Sequence, residues 1–76
     1  MFITLTIETR EKKADIRIDS EQKIGDALNV LRAAGIFSPE AMPDYLRSHL
    51  KQSLVSAYKT FSQESIFDGD ILTVIY

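Results

Sequence analysis

The sequence predicts an α+β domain, a mixed sheet of four to five strands with one helix packed across one face. Three observations predict it. The N-terminal part alternates apolar and polar residues in two successive runs. One stretch in the middle has helical periodicity. The last residues, Ile71 to Tyr76, are almost wholly β-branched or aromatic and follow an Asp68-Gly69-Asp70 turn signal.

Residues 2 to 8 place Ile3, Leu5 and Ile7 on one side and Phe2, Thr4, Thr6 and Glu8 on the other, which is a half-buried strand. Thr9 to Lys13 is polar and charged and lacks Asn-Gly, so a loop longer than two residues is expected there. Alternation resumes from Ala14, with Ile16 and Ile18 inward and Asp15, Arg17 and Asp19 outward. The two runs should pair antiparallel. Asp19 and Ser20 suit a helix start, and Glu21 puts a negative charge near the positive end of the helix dipole. Ile24, Ala27, Leu28, Leu31 and Ala34 then recur at spacings of three and four, one helical face. Gly25 weakens the helix slightly, and Gly35 supplies a left-handed stop after which Ile36 and Phe37 pack back.

Ser38 to Asp44 contains Pro39 and Pro43 and breaks regular structure. Tyr45 to Leu50 alternates again, with Leu46 and Leu50 on one side and Tyr45, Arg47 and His49 on the other. Lys51-Gln52-Ser53 is a polar turn, and Leu54-Val55 a very short edge strand. Phe61 and Ile66 read as anchors of the next segment, where Thr60 or Ser62 could cap a single helical turn. The apolar run Ile71–Tyr76 suits a strand in the middle of the sheet. Two right-handed crossovers would set it parallel to the first strand, with Phe2–Glu8 and Tyr45–Leu50 as its neighbours. That order is the β-grasp, or ubiquitin-like, architecture.

The chain has 76 residues and no evident linker, so residues 1–76 are expected to form a single domain. It has no cysteine, which excludes disulfides and thiolate metal sites. No apolar run approaches the ~20 residues that span a bilayer. The N-terminus alternates and lacks a basic region followed by an unbroken apolar one, unlike a signal peptide. The expectation is therefore a cytoplasmic chain without membrane insertion. A formal net charge of −2 gives no nucleic-acid footprint.

Signals for catalysis are weak. His49 is the only histidine and has no carboxylate two residues away. No Gly-x-Ser-x-Gly elbow is present. Asp68 and Asp70 read as turn residues, since a calcium loop needs more oxygens at fixed spacing. Gly25, Gly35 and Gly69 are scattered, so no glycine-rich loop can cradle phosphate. The expectation is a non-enzyme with no cofactor, no metal and no catalytic residue.

The sheet face opposite the helix is more informative. Alternation places Phe2, Thr4, Thr6, Arg17, Tyr45, Arg47, His49, Thr73 and Ile75 there. One helix covers one face of a small sheet and leaves the other wet. Tyr, Arg and Phe are the types that carry interface energy. Two readings stand side by side: an ordinary solvated sheet face with a few apolar residues, or a candidate protein-binding face of Phe2, Tyr45, Arg47, His49 and Ile75, for a partner or for a second copy of the chain in a homodimer.

The order of elements and the segment Ile66-Phe67-Asp68-Gly69-Asp70-Ile71-Leu72 resemble the small ubiquitin-like proteins of Gram-positive type VII (Ess) secretion systems, the YukD/EsaB family, whose members end in Ile-x-x-Gly-Asp-x-Leu. The likeness spans the first strand, Lys23–Gly35 and Ser62–Leu72. It implies a cytosolic, non-enzymatic accessory protein that keeps the ubiquitin fold without its conjugation tail and binds secretion-machinery components. A β-grasp subunit docking on an enzyme complex is the alternative. A sulfur carrier or protein modifier is a poorer one, because adenylation needs an exposed Gly-Gly carboxylate and Ile75-Tyr76 is bulky.

Overall fold

A computed structural model describes residues 1–10, 12–36 and 42–75. The elements run β1 (Phe2–Glu8), β2 (Lys13–Asp19), α1 (Ile24–Ala33), β3 (Tyr45–Ser48), β4 (Ser53–Ser56) and β5 (Ile71–Val74). The five strands form one mixed sheet in the order β2-β1-β5-β3-β4. β5 is central, parallel to β1 and antiparallel to β3. This is the β-grasp expected from the sequence.

The first hairpin forms as its pattern demands. Every residue from Phe2 to Glu8 has a partner between Asp19 and Lys13. Opposed side chains hold that register, with the Thr6 hydroxyl donating to Asp15 Oδ1 at 2.6 Å and Lys13 Nζ lying 3.2 Å from Glu8 Oε2. Thr9 closes the loop, its hydroxyl donating to the Lys12 carbonyl and accepting from the Lys12 N–H.

Ile3, Leu5 and Ile7 on β1, Leu72 and Val74 on β5, Leu46 on β3 and Val55 on β4 are buried beneath Ile24, Ala27, Leu28 and Leu31 of α1. Ile16 and Ile18, on the outer strand, are only partly buried against this core. Phe61 and Ile66 are fully enclosed, as anchors should be. At the start of this segment, Thr60 N–H donates to Gln63 Oε1 and Gln63 N–H donates to Thr60 Oγ1, a reciprocal cap on a single turn.

Three expectations need correction. The helix starts at Ile24 rather than after Asp19-Ser20, and Lys23 precedes it with no side-chain cap. Its first donors bond across the fold instead, Ile24 N–H to the Lys59 carbonyl and Gly25 N–H to the Ala57 carbonyl. Asp19 holds the Glu21 N–H and the Met1 amino group. Ala34 is exposed, because the helix ends at Ala33 and the chain turns away at Gly35, whose φ of 77° is the expected left-handed stop. Leu50 is exposed as well. β3 ends at Ser48, so the strand alternation does not reach Leu50, and Ser48 takes the last inward position. The readings that fell on Phe37, Pro39 and Tyr76 lie outside the described residues.

Gly25 has a use that its helix propensity hides. A Cβ there would stand 2.9 Å from the Ala57 carbonyl oxygen, so only glycine lets the two backbones meet.

Candidate protein-binding face

The sheet face away from α1 is open. β3 contributes Tyr45 and Arg47, both exposed, and β5 contributes Thr73. Thr73 pairs with Arg47 on one side and Glu8 on the other. One step along from Val74, Ile75 N–H bonds the Tyr45 carbonyl and leaves the isoleucine 41% exposed. Tyr45, Arg47 and Ile75 therefore form one contiguous group.

Leu54 of β4 joins it. Leu54 pairs directly with Arg47 and is 55% exposed. The sequence pattern puts Leu54 on a short edge strand without a face of its own. The burial of Val55 fixes the phase and turns Leu54 outward.

His49 follows the end of β3, where its N–H bonds the Ile71 carbonyl and its Nε2 lies 2.8 Å from Thr73 Oγ1. The Thr73 hydroxyl donates to Glu8 Oε1 at 3.2 Å. With that proton committed, His49 Nε2 is the donor to Thr73. A polar ladder, His49 to Thr73 to Glu8 to Lys13, thus crosses the open face from the end of β3 to β2. The hydrogen bond from Lys13, followed by that from Thr73, holds the Glu8 carboxyl below its ordinary value.

Phe2 is not part of this group. The parallel register sets Thr6 beside Ile71 and Glu8 beside Thr73, so Phe2 and Ile75 lie roughly 26 Å apart along the strands at ~3.3 Å per residue. Phe2 is 60% exposed at the far end, with the Arg17 guanidinium 5.2 Å from its ring centroid.

The Asp68-Gly69-Asp70 turn is structural. Asp68 Oδ1 accepts the Thr4 N–H at 2.7 Å. Asp70 is 1% exposed and binds the turn after β3: Oδ2 accepts the Ser48 hydroxyl at 2.5 Å, and Oδ1 accepts the Leu50 N–H at 3.1 Å. Among the described residues no three His, Cys, Asp or Glu side chains cluster as metal ligands. A cleft of about 250 Å³ beside the start of α1, lined by Gly25, Asn29, Met42 and Ala57 among others, is below the ~300–1,000 Å³ usual for small-molecule sites. No described helix is long and apolar enough to cross a membrane.

No protein-family model and no curated protein sequence matches the chain. Solved structures do. The ubiquitin-like domain of the Mycobacterium tuberculosis type VII secretion system protein EccD1 matches with a TM-score of 0.64 at 15% identity, covering 100% of this chain and 99% of that one. The ubiquitin-like domain of EccD5 from Mycobacterium xenopi gives 0.62 at 17% identity, covering 99% and 93%. A ubiquitin-like domain of an Arabidopsis thaliana protein gives 0.72 at 10% identity, covering 97% and 76%. At these identities the likeness is one of fold, and the fold is ubiquitin-like.

Proposed function

We propose that the chain is a non-enzymatic, cytoplasmic, ubiquitin-like adaptor of a type VII secretion system, of the YukD/EsaB kind, that acts by binding secretion-machinery proteins. The observation that carries the reading is the open sheet face, where Tyr45, Leu54 and Ile75 leave apolar area in water around Arg47. Aromatic and aliphatic area around an arginine is the composition of an interface centre. Arg47 can take a carboxylate in two-pronged fashion, so the face suits a partner surface that is apolar and acidic. The likeness in fold to EccD1 and EccD5 domains supports the secretion setting. A face of this size favours modest affinity and transient contact.

The test is the double substitution Arg47→Glu with Ile75→Asp in cells carrying the secretion locus. Both positions are exposed, so circular dichroism should match wild type. Co-purification with the secretion ATPase and export of its small helical substrates should fall sharply. A folded variant that binds and secretes like wild type would remove the open face from the reading.

A further inference from the structure

β2 is an outer strand of the sheet, and among the described residues no strand pairs with its outer edge. It is seven residues long, and its side chains are exposed or only half-covered throughout. An edge of this length is a template for another strand unless something blocks it. The opposite edge, β4, has only four residues. β2 contains no proline, and its charges do not form a repelling row of one sign. On the open face they alternate as Lys13, Asp15, Arg17 and Asp19.

That alternation is self-complementary. Two copies of β2 pairing antiparallel about a two-fold axis at Ile16 would set Lys13 opposite Asp19 of the second copy and Asp15 opposite its Arg17. Every charge then faces one of opposite sign. Sliding the strands by two residues either way opposes Asp15 to itself and Lys13 to Arg17, or Arg17 to itself and Asp15 to Asp19. Sliding by one turns the wrong faces together. One register alone is favoured along the whole strand, and it is the one that two-fold symmetry permits at Ile16.

The other face agrees. In that register Ile16 meets Ile16 of the second copy and Ala14 meets its Ile18. These isoleucines belong to the helix-covered side yet are only partly buried within one chain. A second copy would cover the area they leave in water.

We infer that β2 is a homodimerisation edge, joining two chains into a continuous ten-stranded sheet. The contact is independent of the Tyr45–Ile75 group, so both open faces stay available in the dimer. The internal contacts of the two aspartates remain compatible with it, while Lys13 and Arg17 would exchange or share their contacts with Glu8 and the Phe2 ring. Asp15 and Asp19 each bond within the chain through Oδ1, and a carboxylate accepts several donors.

The test uses Asp15→Arg and Arg17→Asp, alone, mixed and combined, followed by sedimentation across a concentration series. Wild type should sediment as a dimer that dissociates on dilution. Each single variant opposes like charges twice across the axis and should dimerise about tenfold more weakly or worse. An equimolar mixture of the two restores opposite charges at both places and should recover the dimer, as should the combined Asp15→Arg/Arg17→Asp chain. Circular dichroism establishes that each variant is folded. Should a single variant not fold, wild type still gives a readout, because exchange at the β2 amides should slow as protein concentration rises. A wild-type chain that stays monomeric up to about 1 mM overturns the inference and leaves the edge to an extended segment of another protein. Single variants that dimerise like wild type, or a mixture of folded variants that stays monomeric, overturn it too.

Discussion

Removing the Asp70 carboxylate should be among the most damaging single changes in the chain. Asp70 and Ser48 are both buried, at 1% and 0% exposure. The carboxylate receives the Ser48 hydroxyl on Oδ2 and the Leu50 and Ile71 N–H groups on Oδ1. Ser48 Oγ in turn accepts the Lys51 N–H at 3.1 Å. The Asp70 carbonyl also accepts the Thr6 N–H, so one residue ties β1 to the turn between β3 and β4. Asp70→Ala removes the acceptor of three donors at once. A buried donor left without a partner costs ~1–3 kcal/mol. The Leu50 and Ile71 amides are only part-buried and recover something from water, so the low end applies to them and the upper end to Ser48. The total is about 3–5 kcal/mol, against the ~5–15 kcal/mol that holds a typical domain together.

At roughly 4–8 °C per kcal/mol for a domain of this size, Asp70→Ala should lower Tm by about 12–40 °C. Asp70→Asn is the control. An amide oxygen in the Oδ1 position keeps both N–H partners, and the Ser48 hydroxyl, although it loses its acceptor, can turn to accept from the new amide N–H, so the cost falls to about 1–2 kcal/mol. Thermal and urea unfolding of the three proteins would measure the order wild type, Asn, Ala. Amide exchange at Leu50 should speed up in the Ala variant alone. An Ala variant within about 0.5 kcal/mol of wild type would refute the account. So would an Asn variant as unstable as Ala, because the charge rather than the Oδ1 acceptor would then be what matters.

Leu28, with no exposed surface, should lose about 2–5 kcal/mol on substitution by Ala in urea unfolding, since both transfer energy and a cavity are involved. Gly25→Ala should destabilise by ~1–3 kcal/mol despite alanine's ~1 kcal/mol better helix propensity, because its Cβ would meet the Ala57 carbonyl at 2.9 Å; a stabilised variant in thermal unfolding would show that this approach relaxes freely. Amides of Ile71 to Val74 on the central strand should exchange among the slowest in the molecule and those of Leu54 and Val55 faster, and the reverse order would contradict the sheet order. Acid should weaken the fold in a shallow manner. The Glu8 carboxyl is lowered from 4.5 by Lys13 and then Thr73, and that of Asp19 from 3.8 by the Glu21 N–H and then the Met1 amino group. Depressed folded values stabilise above the unfolded pKa, and that stabilisation is lost as pH falls through the folded ones. An NMR titration should find Glu8 below 4.5 and Lys13→Ala should move it upward; a Glu8 that titrates at or above 4.5 in wild type would refute the Lys13 contact.

The sequence disclosed what local periodicity encodes and missed what distant backbone supplies. The bounds of β1 were legible because a period of two runs unbroken from Phe2 to Glu8, and the Gly35 stop because only one backbone region suits it. The start of α1 was not legible. Its first N–H groups bond carbonyls at Ala57 and Lys59, more than thirty residues away, so no cap needed to be written beside the helix. Alternation places Leu50 inward because it continues past the residue where pairing stops, and an apolar residue in a turn looks like one in a strand. Asp70 was legible as a turn residue but not as a buried one, since its burial follows from Ser48 and Leu50 arriving from another strand.

The candidate face divides along the same line. Parity assigns a side chain to a face, so Tyr45, Arg47 and Ile75 could be drawn together from alternation. Parity does not assign a position along the strand. Phe2 shares the open face, yet a parallel β1–β5 pairing with Thr6 against Ile71 carries it to the far end, beside Arg17 instead of Ile75. Leu54 failed in the opposite way: two adjacent apolar residues, Leu54-Val55, have no phase of their own until a neighbouring strand fixes which one points to the helix. A face read from one strand is a half-determined surface, and the pairing register determines the other half. The self-complementary charges of β2 are the exception, because a strand that pairs with its own copy supplies its partner's sequence as well as its own. A register for such a pair can be derived from Lys13, Asp15, Arg17 and Asp19 alone, before any second chain has been seen.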